Sequence, residues 1–144
     1  MKAIQKIIPL FILSIILSGC LIQGSEASME IPCEDFYENP HLTNNIEVGL
    51  GSEFSVNLCS NASTGFQWME NAEIMHPDFM EQVSHEYGAP SENGAPPPPG
   101  TPGNQRWVFK ALKEGSNTLS FEYSRDWEGG EKGAWTFVLE VEVK

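Results

Sequence analysis

Apolar and polar residues alternate along most of this 144-residue chain, with the period of β-strands. Residues 45–50 and 53–58 read as two strands joined at a Gly51-Ser52 turn, and residues 67–72 and 82–87 as two more. Residues 107–111 make a further run that ends at the turn Lys113-Glu114-Gly115-Ser116. Residues 117–123 put Leu119, Phe121 and Tyr123 on one face; residues 135–143 do the same with Trp135, Phe137, Leu139, Val141 and Val143. No stretch has a convincing helical period, and Pro77-Asp78-Phe79-Met80 has room for a single turn. Seven to eight short strands with turn signals between them predict an all-β fold, an antiparallel sandwich.

Three loops interrupt the alternation. Asn61-Ala62-Ser63-Thr64-Gly65-Phe66 is small and turn-forming, then abruptly aromatic. Residues 88–105 include four consecutive prolines, Pro96 to Pro99, which cannot pair in a central strand and stiffen into polyproline II. Residues 124–133 set Arg125 and Trp127 among glycines. Trp68, Trp107 and Trp135 fall on strand positions and read as core. Trp127 does not, and a tryptophan in such a loop either lies back on the sandwich or reaches a partner, the reading favoured here.

The N-terminal residues are read as a separate signal. Lys2 and Lys6 precede an apolar run over residues 7–17, the layout of a signal peptide over residues 1–19. Leu17-Ser18-Gly19-Cys20 resembles a lipobox, with cleavage before Cys20 and lipid attachment to its sulfur; cleavage near Ala27 by an ordinary signal peptidase is the alternative. Residues 20–40 then form a polar tether, and residues 41–144 the folded domain. The protein is expected to be exported, lipid-anchored to a membrane, and cell-surface or periplasmic.

Loss of Lys2 and Lys6 leaves six of the eight bases against 20 acids, a net charge of −14 in place of −12. With no basic face to neutralise phosphates, nucleic acid is excluded as a partner. An acidic surface favours solubility, and also fast encounter with a basic partner. About 105 residues support one modest core, which a staple would strengthen. With Cys20 lipidated, Cys33 and Cys59 remain as a pair in an oxidising compartment. A bridge between them would close a loop of about 25 residues, worth about 3 kcal/mol on the chain-entropy estimate. Otherwise one of the two cysteines is buried and free.

The three loops together resemble those of chagasin-like inhibitors of papain-family cysteine peptidases. Asn61-Ala62-Ser63-Thr64-Gly65-Phe66 is similar to that family's Asn-Pro-Thr-Thr-Gly-aromatic loop, and Gly100-Thr101-Pro102-Gly103 to its Gly-x-Gly-Gly loop. Arg125-Asp126-Trp127 is similar to its Arg-Pro-Trp loop, and the order of the three is kept over residues 45–144. The resemblance implies an immunoglobulin-like sandwich with the loops side by side at one end. It implies reversible, substrate-excluding occupation of a peptidase cleft. Asn61, Ser63, Thr64, Gly65 and Phe66 would then contact the peptidase, with Thr64 and Gly65 nearest the catalytic thiol. Gly100, Thr101 and Gly103 would run along the non-primed side, and Arg125 and Trp127 would pack on the primed side.

Departures from the family pattern are local. Ala62 stands where the family has Pro and Ser63 where it has Thr, while Asp126 replaces a Pro and Pro102 a Gly. A compatible Pro stiffens a loop by about 0.4–1 kcal/mol, so the first and third loops are expected to be softer. Asn61-Ala62-Ser63 is also an N-glycosylation sequon, which the inhibitor reading expects to be unmodified.

Other functions fit less well. His41, His76 and His85 have no motif pairing them with Cys33 or Cys59, so no enzyme is expected. Three Asp and no Asp-x-Asp-x-Asp-Gly loop give no calcium motif; no metal or cofactor is expected. A monomer is expected. The competing reading is a non-inhibitory, surface-anchored immunoglobulin-like module for adhesion or ligand binding.

Overall fold

The computed structural model describes residues 26–89 and 97–144. Cys20 and the expected signal peptide lie outside the described residues, as do Pro90 and Pro96. The described elements are β1 (Ala27–Ile31), α1 (Cys33–Glu38), β2 (His41–Val48), β3 (Glu53–Ser60) and a 3-10 turn (Ala62–Thr64). They continue with β4 (Gln67–Trp68), β5 (Glu73–Ile74), β6 (Met80–Gly88), β7 (Gly103–Ala111), β8 (Gly115–Ser124) and β9 (Trp135–Val143).

Two sheets face each other across one core. The first has the order β1-β3-β7-β6; the second has the order β2-β9-β8-β4, with β5 also paired to β8. The alternation of the sequence explains which side chains meet. Trp107, Phe109 and Ala111 of β7 face Leu119, Phe121 and Tyr123 of β8 and Phe137, Leu139, Val141 and Val143 of β9. Trp68 and Trp107 are buried, as their strand positions require, and Trp135 is half-buried against the same core. The sandwich expected from the sequence is therefore present.

Two of its pairings are parallel: β1 with β3, and β2 with β9. The alternation did not mark β1, and marked only the second half of β2, from Asn45. β2 starts at His41 rather than Asn45, because Leu42 and Ile46 pack on the core in register with Phe137 and Val141. Of the strand expected over residues 67–72, only Gln67–Trp68 pairs; the chain then shifts to β5. Pro77 to Phe79 make the single turn expected there, with the Phe79 N–H donating to the His76 carbonyl.

The tether expected over residues 20–40 is corrected by β1 and α1. Ile31, Cys33 and Phe36 are buried, and Phe36 stacks on Trp135 with ring centroids 5.0 Å apart. Burial of such apolar side chains holds this segment on the sandwich. Cys33 and Cys59 are joined by a disulfide, with Cα atoms 5.1 Å apart. It fastens α1 to the end of β3.

Register separates the sandwich into two ends. One carries the exits of β3 and β8 and the starts of β4, β7 and β9: Ser60 pairs with Gly103, Gln67 with Ser124, and Tyr123 with Trp135. The other carries the turn over residues 49–52, bonded to Ala111 and Lys144, and the start of β1 beside Phe54. All three interrupting loops leave from the first end.

Candidate functional site

The first loop is a 3-10 turn capped by its own first residue. Asn61 Oδ1 accepts from the Ser63 N–H at 3.2 Å and from Ser63 Oγ at 2.7 Å, while Thr64 Oγ1 donates to the Asn61 carbonyl at 2.7 Å. Gly65 ends the turn at φ 78°, a left-handed conformation that glycine adopts without strain. These bonds supply stiffness where the family has Pro and this chain has Ala62.

Its root is held from below. Tyr123 Oη accepts from the Asn61 N–H at 2.9 Å. Trp68 Nε1 donates to the Cys59 carbonyl at 2.8 Å, and Gln105 Oε1 accepts from the Trp68 N–H at 3.0 Å. The phenol of Tyr123 was not legible as part of this loop, because alternation marks Tyr123 only as a core residue.

The second loop turns at Pro98 to Thr101. The Thr101 N–H and Oγ1 both donate to the Pro98 carbonyl, at 3.2 and 2.7 Å, and Gly100 takes φ 85°. Asn61 Nδ2 donates to the Gly100 carbonyl at 3.0 Å, so one side chain ties the first loop to the second. Gly103, expected in this loop, is instead the first residue of β7, opposite Ser60. Pro102 and Gly100 are exposed.

The third loop folds over the first. The Arg125 guanidinium stacks on the Phe66 ring at 4.3 Å and its Nη2 donates to the Thr64 carbonyl at 3.4 Å. Its Nε is buried without a hydrogen-bond partner. Trp127 lies against Gly65, where a Cβ would come within 2.8 Å of its Cη2. Trp127 is nonetheless 52% exposed. Trp127 thus both lies back on the domain and faces solvent.

Asp126 and Lys132 explain how this loop holds without the family's Pro. Lys132 Nζ donates to the Arg125 carbonyl at 2.7 Å and pairs with Asp126 at 4.0 Å, while the Arg125 N–H donates to the Glu131 carbonyl at 2.8 Å. The exposed ion pair itself contributes little; the two bonds to Arg125 close the loop.

The structure therefore brings Asn61, Ser63, Thr64, Gly65, Phe66, Gly100, Thr101, Arg125 and Trp127 to one end, with Gly103 just below. Tyr37 of α1 also stands there, edge-on to Trp135 at 5.5 Å. It lay in the expected tether and was missed; no signal marked it. Among the described residues no group of His, Cys, Asp or Glu is arranged to hold a metal ion.

A rigid sandwich that presents three mutually braced loops at one end defines a protein-binding module. Residues 47–141 match the Chagasin family peptidase inhibitor I42, and the chain belongs to that family, which is one of inhibitors and not of enzymes. The fold is similar to that of the cysteine protease inhibitor EhICP2 from Entamoeba histolytica. That structure has 21% identity and a TM-score of 0.61, with 82% of this chain and 95% of that one covered. It is also similar to PbICP-C, solved in complex with falcipain-2, at 18% identity and a TM-score of 0.57, covering 82% and 99% of the two chains. Amebosin, in a solution structure, has 21% identity and a TM-score of 0.54, with 84% and 100% covered. No curated protein sequence matches the chain.

Proposed function

We propose that this protein reversibly inhibits papain-family cysteine peptidases by filling the active-site cleft with its three loops. The observation that carries this reading is the bracing of the loops on one another: Asn61 to Gly100, Arg125 to Thr64 and Phe66, and Trp127 on Gly65. Such an edge loses little entropy on docking, which is how an interface of ordinary size becomes tight. Membership of a peptidase-inhibitor family supports the reading, and so does the fold shared with EhICP2. Thr64 and Gly65 would approach the catalytic thiol. Gly100 and Thr101 would lie to one side of it, and Arg125 and Trp127 to the other. The loops exclude substrate without being cleaved.

The test is hydrolysis of a fluorogenic peptide by papain in the presence of the protein lacking its first 20 residues. Competitive, reversible inhibition at submicromolar concentration is expected. Absence of inhibition at micromolar protein would return the chain to the adhesion or ligand-binding reading.

We also propose that Cys20 carries the lipid of an exported, membrane-anchored form. One acyl chain holds a protein weakly, and two or more hold it stably. Only six residues, 21–26, separate Cys20 from β1. Fully extended they reach about 20 Å. Because β1 starts at the end opposite the loops, that end would face the membrane and the inhibitory loops would point away from it.

A further inference from the structure

We infer that α1 is a fourth contact element, and that a slot beside Tyr37 receives one apolar side chain from the rim of the bound peptidase; this rests on the inhibitor reading above. A ladder of rings runs from the third loop, beneath the first, to the helix. Arg125 stacks on Phe66 at 4.3 Å, Phe66 on Tyr123 at 5.5 Å, and Tyr123 on Trp135 at 4.7 Å. Tyr37 completes it, its ring at 75° to that of Trp135. Along the ladder lies a cavity of about 260 Å³ lined by Tyr37, Phe66, Tyr123, Ala134 and Trp135, with Thr64 on its wall. The slot is therefore continuous with the apex of the first loop. A segment that reaches Thr64 passes over it.

The chemistry of the lining selects the occupant. Four of the eight residues that line it are aromatic, and Asn61, Thr64 and Arg125 among the rest each already make a hydrogen bond within the domain. Tyr123 Oη is bonded to Asn61, the Asn61 amide to Ser63 and Gly100, and the Arg125 guanidinium to Thr64. Arg125 Nε is buried out of a ligand's reach. An apolar side chain breaks none of these bonds, whereas a polar one would lose its water for few replacements.

Tyr37 itself is 66% exposed, although its neighbour Phe36 is 1% exposed. The helix has no freedom to move away, since the Cys33–Cys59 bridge fastens it two residues before Asn61. A rigid, solvent-facing tyrosine beside a binding edge has the features of an interface anchor. α1 precedes the residues matched to the family model, 47–141, so this contact lies outside the three loops that the family motif marks.

The inhibition constant for papain, with the dissociation rate, tests this in four proteins: unaltered, Tyr37→Ala, Tyr37→Phe and Ala134→Leu. Tyr37→Ala removes one wall and is expected to raise the constant about tenfold, through faster dissociation. Ala134→Leu fills the slot from within and should do the same, independently of any effect of Tyr37 on folding. Tyr37→Phe keeps the ring and should bind as the unaltered chain does. Constants within about twofold of the unaltered chain for both Tyr37→Ala and Ala134→Leu would overturn the fourth contact and leave the inhibitor reading standing. Failure of the unaltered chain to inhibit would overturn both.

Discussion

A Cβ on Gly65 would stand 2.8 Å from Cη2 of Trp127, so the glycine of the first loop is the floor on which the tryptophan of the third loop rests. The two residues are 62 apart in sequence and belong to different loops. Their contact makes the position of Trp127 depend on the absence of a side chain at Gly65. It also gives the glycine two roles, since its φ of 78° already lies where L-residues are disfavoured.

Gly65→Ala should therefore weaken inhibition by more than its effect on stability. The left-handed backbone costs an L-residue about 1–2 kcal/mol, and the added methyl displaces the indole. We expect the inhibition constant for papain to rise at least about tenfold, a loss of about 1.4 kcal/mol or more. Trp127→Ala should raise it too, through the dissociation rate. Because both act on one contact, the double variant should be weakened by less than the sum. Additivity within about 0.3–0.5 kcal/mol would show the two residues to be independent.

Asn61 offers a separation of its two jobs. Its Oδ1 caps the 3-10 turn, while its Nδ2 reaches the Gly100 carbonyl. Asn61→Asp keeps the acceptor and removes the donor, placing a carboxylate oxygen against a carbonyl. Asn61→Ala removes both and costs the turn about 1 kcal/mol. Both should weaken inhibition, but only Asn61→Ala should loosen the first loop, seen as faster amide exchange at Ser63. Equal affinity of Asn61→Asp and the unaltered chain would mean that the link between the first and second loops plays no part in binding. Both variants also remove the sequon, so a mass unchanged apart from the substitution confirms that Asn61 carries no glycan.

The alternation of β7, β8 and β9 was legible because each strand buries one face only, and a period of two then marks the core without any long-range knowledge. α1 was not legible. Its six residues make fewer than two turns, so Cys33 and Phe36 cannot establish a helical period, and its acids read as solvated tether. The parallel pairing of β2 with β9 likewise has no local signature, since their partners lie 95 residues apart. In the site, loop composition was readable and loop contact was not. Nothing near Asn61 announces that its amide ends on Gly100, 39 residues away.

The Cys33–Cys59 bridge closes a separation of 26 residues and joins α1 to the root of the first loop. Replacing both cysteines by serine should lower unfolding free energy by about 2–4 kcal/mol, measured in urea at fixed pH. Inhibition should weaken as well, because Tyr37 then stands on an unfastened helix. A stability loss below about 1 kcal/mol would show that the bridge adds little to the stability of the fold, and the rigid placement of α1 by it would fall.

Anchoring at Cys20 makes a prediction about direction as well as location. Replacing residues 1–20 by a signal peptide that an ordinary signal peptidase removes should move the exported chain from the membrane to the soluble fraction, and a chain that stays membrane-bound would rule out anchoring at Cys20. With Cys20 intact, the end of the sandwich carrying the 49–52 turn lies within the roughly 20 Å reach of residues 21–26, while the loops stand a full strand length further out. β8, at 10 residues, spans about 33 Å. Leu50, half-exposed in that turn, and Thr64, exposed at the loop apex, report the two ends. Introduced one at a time as Leu50→Cys and Thr64→Cys in the membrane-bound protein, they should differ in labelling by a bulky, membrane-impermeant maleimide, with Thr64→Cys the faster. The difference should vanish when the same variants are made without residues 1–20. Equal labelling of both sites in the anchored form would mean that the domain lies on its side, with its loops no freer to meet a peptidase than its base.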